Sequence, residues 1–404
     1  LISHALVVLV EEFRYTFVDK YTYIYYNRVG CISVVALLDM DAFFAMIECR
    51  RNTFLLDKPV AIIGWGKRTA VSSVNYLAKK CGVKVGMAPQ MARKICPNIV
   101  LVKADFAEYE SISMGIENII DREFPRYIRY SIDEFFIDLN IPHSFEKLHR
   151  VKADIRRRYG LTCSIGVAAN PVLSKIACEM SKPDGFLIVQ KDQISTFLEK
   201  LEVSVIPGIG VKTQSYLQKM SIYSVKELVE FVRKGFGCRT LNELVDSLFA
   251  EDFDRKEFFK KKPPKSFGHM KTLDVNVSDL VTLKEIGFYL LYRSFLRMVR
   301  EGYSAKTISL ILKYAKSGNI SCSKTLKDWC SDFTKLSKVV EMLLEGMFNG
   351  EPVRMLGVSL SNLKLCASNQ LELFSNPEKF LKAVSVKNLE ISSRLFLKKV
   401  ASNA

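Results

Sequence analysis

From Val34 to Leu38 five aliphatic residues follow one another without a polar break, and polar positions begin at once with Asp39. An unbroken β-branched and aliphatic run is what a strand covered on both faces requires. Phe135-Phe136-Ile137, leading into Asp138-Leu139, is a second run of this kind. To about residue 190, strand-like and helix-like segments alternate. Residues 43–56 suit a helix, and Lys58-Pro59-Val60-Ala61-Ile62-Ile63-Gly64 reads as turn, strand and stop. Ala70-Val71-Ser72-Ser73 is a short strand entering a helix over 76–81, with Gly82 as the residue that ends it. Tyr76 and Lys79, three apart, share a face of that helix. Asn170-Pro171 supplies an N-cap followed by proline at the first helical position, for a helix over 172–180 that stops before Lys182-Pro183-Asp184-Gly185. Residues 190–258 read as all-helical. Phe258-Phe259-Lys260-Lys261-Lys262-Pro263-Pro264-Lys265 is basic, contains proline and lacks an apolar period, so it reads as a linker. Strand character returns at 307–312 and 353–360 in a separate α+β unit, and no repeat of 20 to 50 residues is evident.

A chain of 404 residues calls for two to four domains, and 49% hydrophobic residues suffice for their cores. No stretch is long enough to span a bilayer. The net charge of +16 points to a polyanionic partner, nucleic acid first and an anionic membrane surface second. The ten cysteines are scattered without a Cys-x-x-Cys pair, and there are only four histidines. A zinc site is therefore not expected, and the thiols read as small core residues of a reducing cytosol.

Two acidic runs, Leu38-Asp39-Met40-Asp41 and Ser131-Ile132-Asp133-Glu134, each sit at an end of an apolar segment. On an extended chain Asp39 and Asp41 project to one face, with the Met40 carbonyl on the backbone between them. Asp133 and Glu134 are adjacent and would point to opposite faces of a regular strand. They serve one site only across a tight turn, which Ser and Asp favour. Three or four oxygens converging from two strands suit Mg²⁺ together with substrate phosphates, the arrangement of two-metal phosphoryl transfer. Taken alone, acidic residues at a strand end are ordinarily solvated turn residues, and here the surrounding sequence alters that balance.

Asp39-Met40-Asp41-Ala42-Phe43-Phe44-Ala45, followed by Met46-Ile47-Glu48, and Ser131-Ile132-Asp133-Glu134-Phe135-Phe136-Ile137-Asp138-Leu139 resemble the two palm motifs of Y-family translesion DNA polymerases, nearest to the polymerase IV (DinB) branch. The resemblance continues in order through Val74-Asn75-Tyr76-Leu77-Ala78-Lys79-Lys80-Cys81-Gly82-Val83, Leu173-Ser174-Lys175-Ile176-Ala177 with Ser181-Lys182-Pro183-Asp184-Gly185, and Ile206-Pro207-Gly208-Ile209-Gly210. It covers roughly residues 33 to 375. It implies a multidomain α+β right hand. The palm, ferredoxin-like, takes residues 31–42 and 104–182, small fingers take 43–103, and a helical thumb with a helix-hairpin-helix takes 183–259. A linker (260–265), an α+β little finger (266–364) and a tail (365–404) follow. Residues 1–30 precede the family's usual start and carry no assigned role. The implied activity is error-prone, template-directed DNA synthesis past damaged bases, with dNTPs added to a primer 3′-OH and no proofreading exonuclease.

The resemblance also assigns roles. Asp39, Asp133 and the Met40 carbonyl hold two Mg²⁺ ions, and Glu134 completes the catalytic site beside the primer end. Asp41 either supports this site from behind or pairs locally with a basic residue. Phe43 and Phe44 lie at the nucleotide, Phe44 as the steric gate under the sugar; the plainer alternative is that both rings staple the first helix to the palm. Tyr76 and Lys79 contact the triphosphate, although Lys79 stands where Arg is common and offers charge without a bidentate fork. Lys175 reaches the incoming phosphates. Gly208, Gly210 and Lys212 belong to the helix-hairpin-helix turn, whose amides approach a DNA phosphate. Gln370-Leu371-Glu372-Leu373-Phe374 matches the peptide, with Gln370, Leu371, Leu373 and Phe374 as anchors, that docks bacterial polymerases on the sliding clamp (beta clamp). The implied enzyme is a monomer in the bacterial cytoplasm, at the nucleoid during repair, with no membrane partner. Two other functions compete: a catalytically silent DNA- and clamp-binding paralogue, and a nucleotidyl cyclase, which has no use for the helix-hairpin-helix or the clamp peptide.

Overall fold

The computed structural model describes residues 34–250 and 253–366. The extension 1–30 and the clamp peptide at 370–374 therefore lie outside the described residues. The chain divides into two compact units between Lys261 and Lys262, with residues 63–70 belonging to the second.

The first unit is organised by a five-stranded sheet. In chain order its strands are β1 (Val35–Met40), β5 (Tyr127–Arg129), β6 (Glu134–Asp138), β7 (Cys163–Ala168) and β8 (Phe186–Ile188), arranged β5-β6-β1-β7-β8. Strand β1 is central and antiparallel to both neighbours, with Asp39 opposite Glu134 on β6 and Ser164 on β7. Its unbroken apolar run has the expected cause. Ala36, Leu38 and Met40 enter one core with helices α4 (Phe106–Glu123) and α5 (Ser144–Tyr159). Val35 and Leu37 enter another with Phe136, Cys178 and Phe259. Helix α6 (Pro171–Ser181) lies close against β7, and Gly166 permits this. A Cβ there would meet the Cys178 nitrogen at 2.1 Å and the Ser174 carbonyl at 2.2 Å.

Helix α1 (Phe43–Arg51) is shorter than the 43–56 expectation. The chain turns extended at Asn52, and a 3-10 turn over Thr53–Leu55 follows. A small sheet of β2 (Val60–Ile63), β3 (Val71–Val74) and β4 (Val100–Lys103) carries α2 (Tyr76–Lys80) and α3 (Pro89–Ile95). The Asn75 side chain caps α2 by accepting from Ala78 N, and it also accepts from Val60 N at 3.0 Å and donates to the Lys58 carbonyl. Gly82 takes the left-handed conformation (φ 90°) that the helix stop requires. Past β8 the unit is helical: α7 (Ile194–Glu199), α8 (Val211–Lys219), α9 (Val225–Arg233) and α10 (Arg239–Phe249) share their own apolar core, and α11 (Arg255–Phe258) follows.

One expectation is corrected here. Phe258 and Phe259 are not linker residues. Phe258 meets Phe136 edge to face, Phe259 is buried beneath the sheet, and Arg255 of α11 pairs with the buried Asp138. The basic, proline-containing stretch begins only after these anchors.

The second unit is a four-stranded antiparallel sheet, β11-β10-β12-β9, of β9 (Ser266–Val277), β10 (Tyr303–Tyr314), β11 (Asn319–Cys330) and β12 (Val353–Leu365). Helices α12 (Leu280–Arg300) and α13 (Phe333–Met347) supply the apolar side of its core. Edge strand β11 is almost wholly exposed along its length.

Candidate active site

A two-residue turn joins β1 to α1. Ala42 adopts a left-handed conformation (φ 47°) there, so the backbone reverses immediately after Asp41. Across the sheet the β5–β6 hairpin is closed by Ser131, whose hydroxyl accepts from the amides of Asp133 and Glu134 and contacts Asp133 Oδ1 at 2.5 Å. This is the turn that adjacent acidic residues need if they are to share a site. The Met40 amide donates to the Asp133 carbonyl at 3.0 Å, tying the two acidic runs together.

Asp39, Met40, Asp133 and Glu134 line one wall of a cleft of about 460 Å³, faced by Tyr76, Lys79 and Val83–Val85. Phe43 also lines it. Phe44 does not. Its ring lies flat on Tyr109 (centroids 4.5 Å, 13° between planes) and edge-on to Phe106. Tyr109 donates in turn to the buried Glu48 at 2.8 Å, and Arg51 pairs with both Glu48 and Asp105. Phe43 is buried in the core, while Phe44 packs against that core in an aromatic stack with Tyr109 and Phe106.

Two ammonium groups stand over the carboxylates. Lys182 Nζ is 2.8 Å from Asp39 and 2.9 Å from Glu179, and Lys175 Nζ is 2.5 Å from Glu134. Lys182 is a site residue that sequence reasoning passed over, although it stands inside the Ser181-to-Gly185 motif. Burial pushes the Asp39 carboxyl up to about 7, with Glu134 and Asp133 adding to the rise and Lys182 opposing it. Asp41 is held by three hydrogen bonds from uncharged donors. Fully inside, it accepts from Ser164 Oγ at 2.8 Å, from the Asp184 amide at 2.9 Å and from the Tyr76 hydroxyl at 3.4 Å. Burial first, and then Asp41, push the Tyr76 phenol up.

Among the described residues no three His, Cys, Asp or Glu side chains converge tightly enough to grip an ion as they stand. Asp39 and Glu134 face ammonium groups instead. The donor set nevertheless fits a hard divalent cation, with carboxylates from two paired strands and a backbone carbonyl between them. A cation there would offset the repulsion that Glu134 and Asp133 add to the effect of burial on Asp39.

The helix-hairpin-helix residues lie apart from this cleft, in the helical part of the first unit. Gly208 is left-handed (φ 102°), and Gly210 caps α8 with open space where a side chain would project. Lys212 is exposed at the second position of α8.

Residues 38–179 match the model of the impB/mucB/samB family, and residues 264–373 match its C-terminal domain. DNA polymerase IV of Methanoculleus marisnigri is 31% identical over 348 residues, 82% of this chain and 94% of that protein. DNA polymerase IV of Clostridioides difficile is 32% identical over 337 residues, 81% of this chain and 92% of its own. Among solved structures, a Y-family DNA polymerase chimera of Dbh with a Dpo4 segment superimposes with a TM-score of 0.73 at 26% identity, covering 82% of this chain and 99% of that one. DinB from Sulfolobus solfataricus matches with a TM-score of 0.56 at 26% identity, with the same two coverages. The chain belongs to the impB/mucB/samB family of Y-family DNA polymerases.

Proposed function

We propose that this chain extends a primer 3′-OH with dNTPs along a DNA template, past damaged bases, using Asp39, Asp133 and Glu134 as its metal-holding carboxylates. It is a DNA-directed DNA polymerase of a metal-dependent family, and it binds primer-template DNA and dNTPs. The observation that best supports the residue assignment is the strand register placing Asp39 opposite Glu134, with Ser131 folding Asp133 onto the same edge. Two Mg²⁺ ions held there would neutralise the charge that develops on the transferred phosphoryl group.

The chain's own side chains do the rest. Lys175 and Lys182, already poised over the carboxylates, balance phosphate oxygens entering the cleft. Tyr76 and Lys79 face them from α2 and bind the triphosphate, with Tyr76 held in place by Asp41. The Phe44 ring, fixed by its stack on Tyr109, rejects a 2′-hydroxyl by clash. Gly210 and Lys212 hold a backbone phosphate, which fixes position without reading sequence. The palm, fingers, thumb and little finger follow the divisions stated above. Residues 370–374 dock a monomeric enzyme on the sliding clamp in the bacterial cytoplasm, at the nucleoid during repair.

Primer extension by the purified protein on undamaged and abasic templates tests this reading. Extension on both is expected, abolished by Asp39→Ala with Glu134→Ala while duplex binding survives. DNA binding without extension by the unmodified chain would instead identify a silent paralogue.

A further inference from the structure

Lys152 and Arg156 stand one turn apart on α5 and both reach the turn that joins α6 to β8. An ammonium has three hydrogens to donate. Lys152 spends them on backbone carbonyls that converge from two segments: Cys163 at 2.5 Å, Asp184 at 2.7 Å and Gly185 at 3.1 Å. The Asp184 carboxylate lies 2.9 Å from the same nitrogen and also pairs with Arg156. Three carbonyls and a carboxylate form the kind of oxygen shell that a hard cation occupies, and here the cation is the chain's own. The held turn meets the cleft at two points. Asp184 has a left-handed backbone (φ 55°), uncommon for a residue with a Cβ, and in that conformation its amide donates to Asp41 Oδ2 at 2.9 Å. The Gly185 amide donates to Ser164 Oγ, which donates to Asp41 Oδ1. At the start of the turn, Lys182 stands 2.8 Å from Asp39.

We propose that Lys152 is a positioning residue for nucleotide insertion: its ammonium, acting as an internal cation, holds residues 182–185 so that Lys182 meets Asp39 and the Asp184 amide meets Asp41. Lys152 does not line the cleft and acts only through this turn. Without the charge, three carbonyl dipoles point at an empty centre, and the turn must open to let water satisfy them. Asp41 then loses the Asp184 amide, which weakens its hold on the Tyr76 hydroxyl, and Lys182 loses its fixed seat over Asp39. The effect on insertion rests on the reading of the cleft given above, whereas the effect on the turn does not.

Two variants of the full chain, compared at a temperature where both are folded, test this. Lys152→Met keeps most of the aliphatic stem and removes the ammonium. Lys152→Ala opens a space the size of propylamine where the parent side chain is 18% exposed, so a small cation can enter. In both, kcat/KM for dNTP in single-nucleotide insertion should fall roughly 10–100-fold, the range for groups that orient a metal site from behind, through KM more than kcat. Affinity for primer-template DNA should match that of Arg157→Ala, which removes one positive charge from the exposed side of the same helix. Propylammonium replacing sodium at constant ionic strength should restore part of the loss in Lys152→Ala, whereas tetramethylammonium, with no hydrogen to donate, should restore none. Hydrogen exchange of the metal-free protein reads the turn without activity. The amides of Asp184 and Gly185 should exchange faster in both variants, and slow again when propylammonium is added to Lys152→Ala. Faster exchange with unchanged insertion would make Lys152 a brace of the fold alone, and unchanged exchange would show that the turn holds itself. A loss that both cations repair equally, or that neither repairs, overturns the role of the ammonium. Should the chain insert no nucleotide at all, exchange still decides the turn, and the polymerase reading falls separately.

Discussion

The proposed role of Asp39 as a metal-holding carboxylate needs an anion in a place where burial favours the acid. Its carboxyl is pushed up to about 7 from an ordinary value of 3.8, so between those limits the folded chain holds a proton that the unfolded chain releases. Stability rises with pH only where the unfolded state binds more protons. The sign here is the reverse, and Asp39 makes the metal-free native state progressively less stable as pH rises from about 4 to 7. Asp39→Asn removes this slope. The melting temperature of the metal-free variant should therefore gain on the parent between about pH 5 and pH 8, with the larger gain at the higher pH, as measured by calorimetry. Parallel profiles would mean that Lys182 alone satisfies the carboxylate. At Phe44 the proposed action is steric. Phe44→Ala should lower dNTP-over-rNTP selectivity at least tenfold, ~1.4 kcal/mol of discrimination, with dNTP insertion largely kept. Tyr109 and Glu48 stay behind to hold α1 against α4. If selectivity in single-nucleotide insertion does not move, the ring is only a packing residue.

Elements whose cause is local were legible in the sequence. The run Val34–Leu38 announced a strand covered on both sides, Asn170-Pro171 a helix start, Gly82 a helix stop, and Ser131 the turn that unites two adjacent acids. What was not legible depends on residues far apart in the chain. Nothing near Lys182 says that its ammonium reaches Asp39, 143 positions away. Nothing near Phe258 says that α11 folds back under the sheet, since its anchor Asp138 lies on β6. The pairing of Phe44 with Tyr109 likewise joins α1 to α4 across a span that no periodicity reports. Gly166 belongs to this second class. Within β7 it looks like a weakness in a strand, yet it lets α6 approach and brings Lys175 and Lys182 over the carboxylates. Gly166→Ala sets a methyl against the backbone of Ser174 and Cys178, which no rotamer change relieves. The expected cost is about 1–3 kcal/mol of stability, typical of overpacking, seen in denaturant melts. Primer extension should fall further than stability alone explains at a temperature where the variant is fully folded. Full activity of the folded variant would show that α6 needs no such close seat.

At the scale of the whole molecule, the excess of basic over acidic side chains is the dominant fact. Fifty-nine Lys and Arg against 43 Asp and Glu give +16, and within the site Glu134 and Asp39 already face Lys175 and Lys182. The surplus lies elsewhere, including Lys212 at α8 and the basic stretch ahead of β9. A duplex is itself a dense line of negative charge with condensed counterions, and each phosphate neutralised by protein releases part of that atmosphere. The logarithm of the binding constant therefore falls linearly with the logarithm of salt, with a slope near −0.9 per phosphate contact. A polymerase that reads shape and charge should bind primer-template DNA almost independently of sequence, and lose roughly 10³–10⁵ in affinity between about 50 and 200 mM salt if it makes about 6–10 such contacts. Lys212→Ala should reduce the steepness by about one unit and weaken all sequences alike, since a phosphate contact carries no base information. Fluorescence anisotropy on two unrelated duplexes over that salt range measures both quantities. A flat dependence would detach the +16 charge from DNA altogether, while an unchanged slope with Lys212→Ala would remove the α8 turn from the DNA footprint and leave the basic residues of the second unit to account for it.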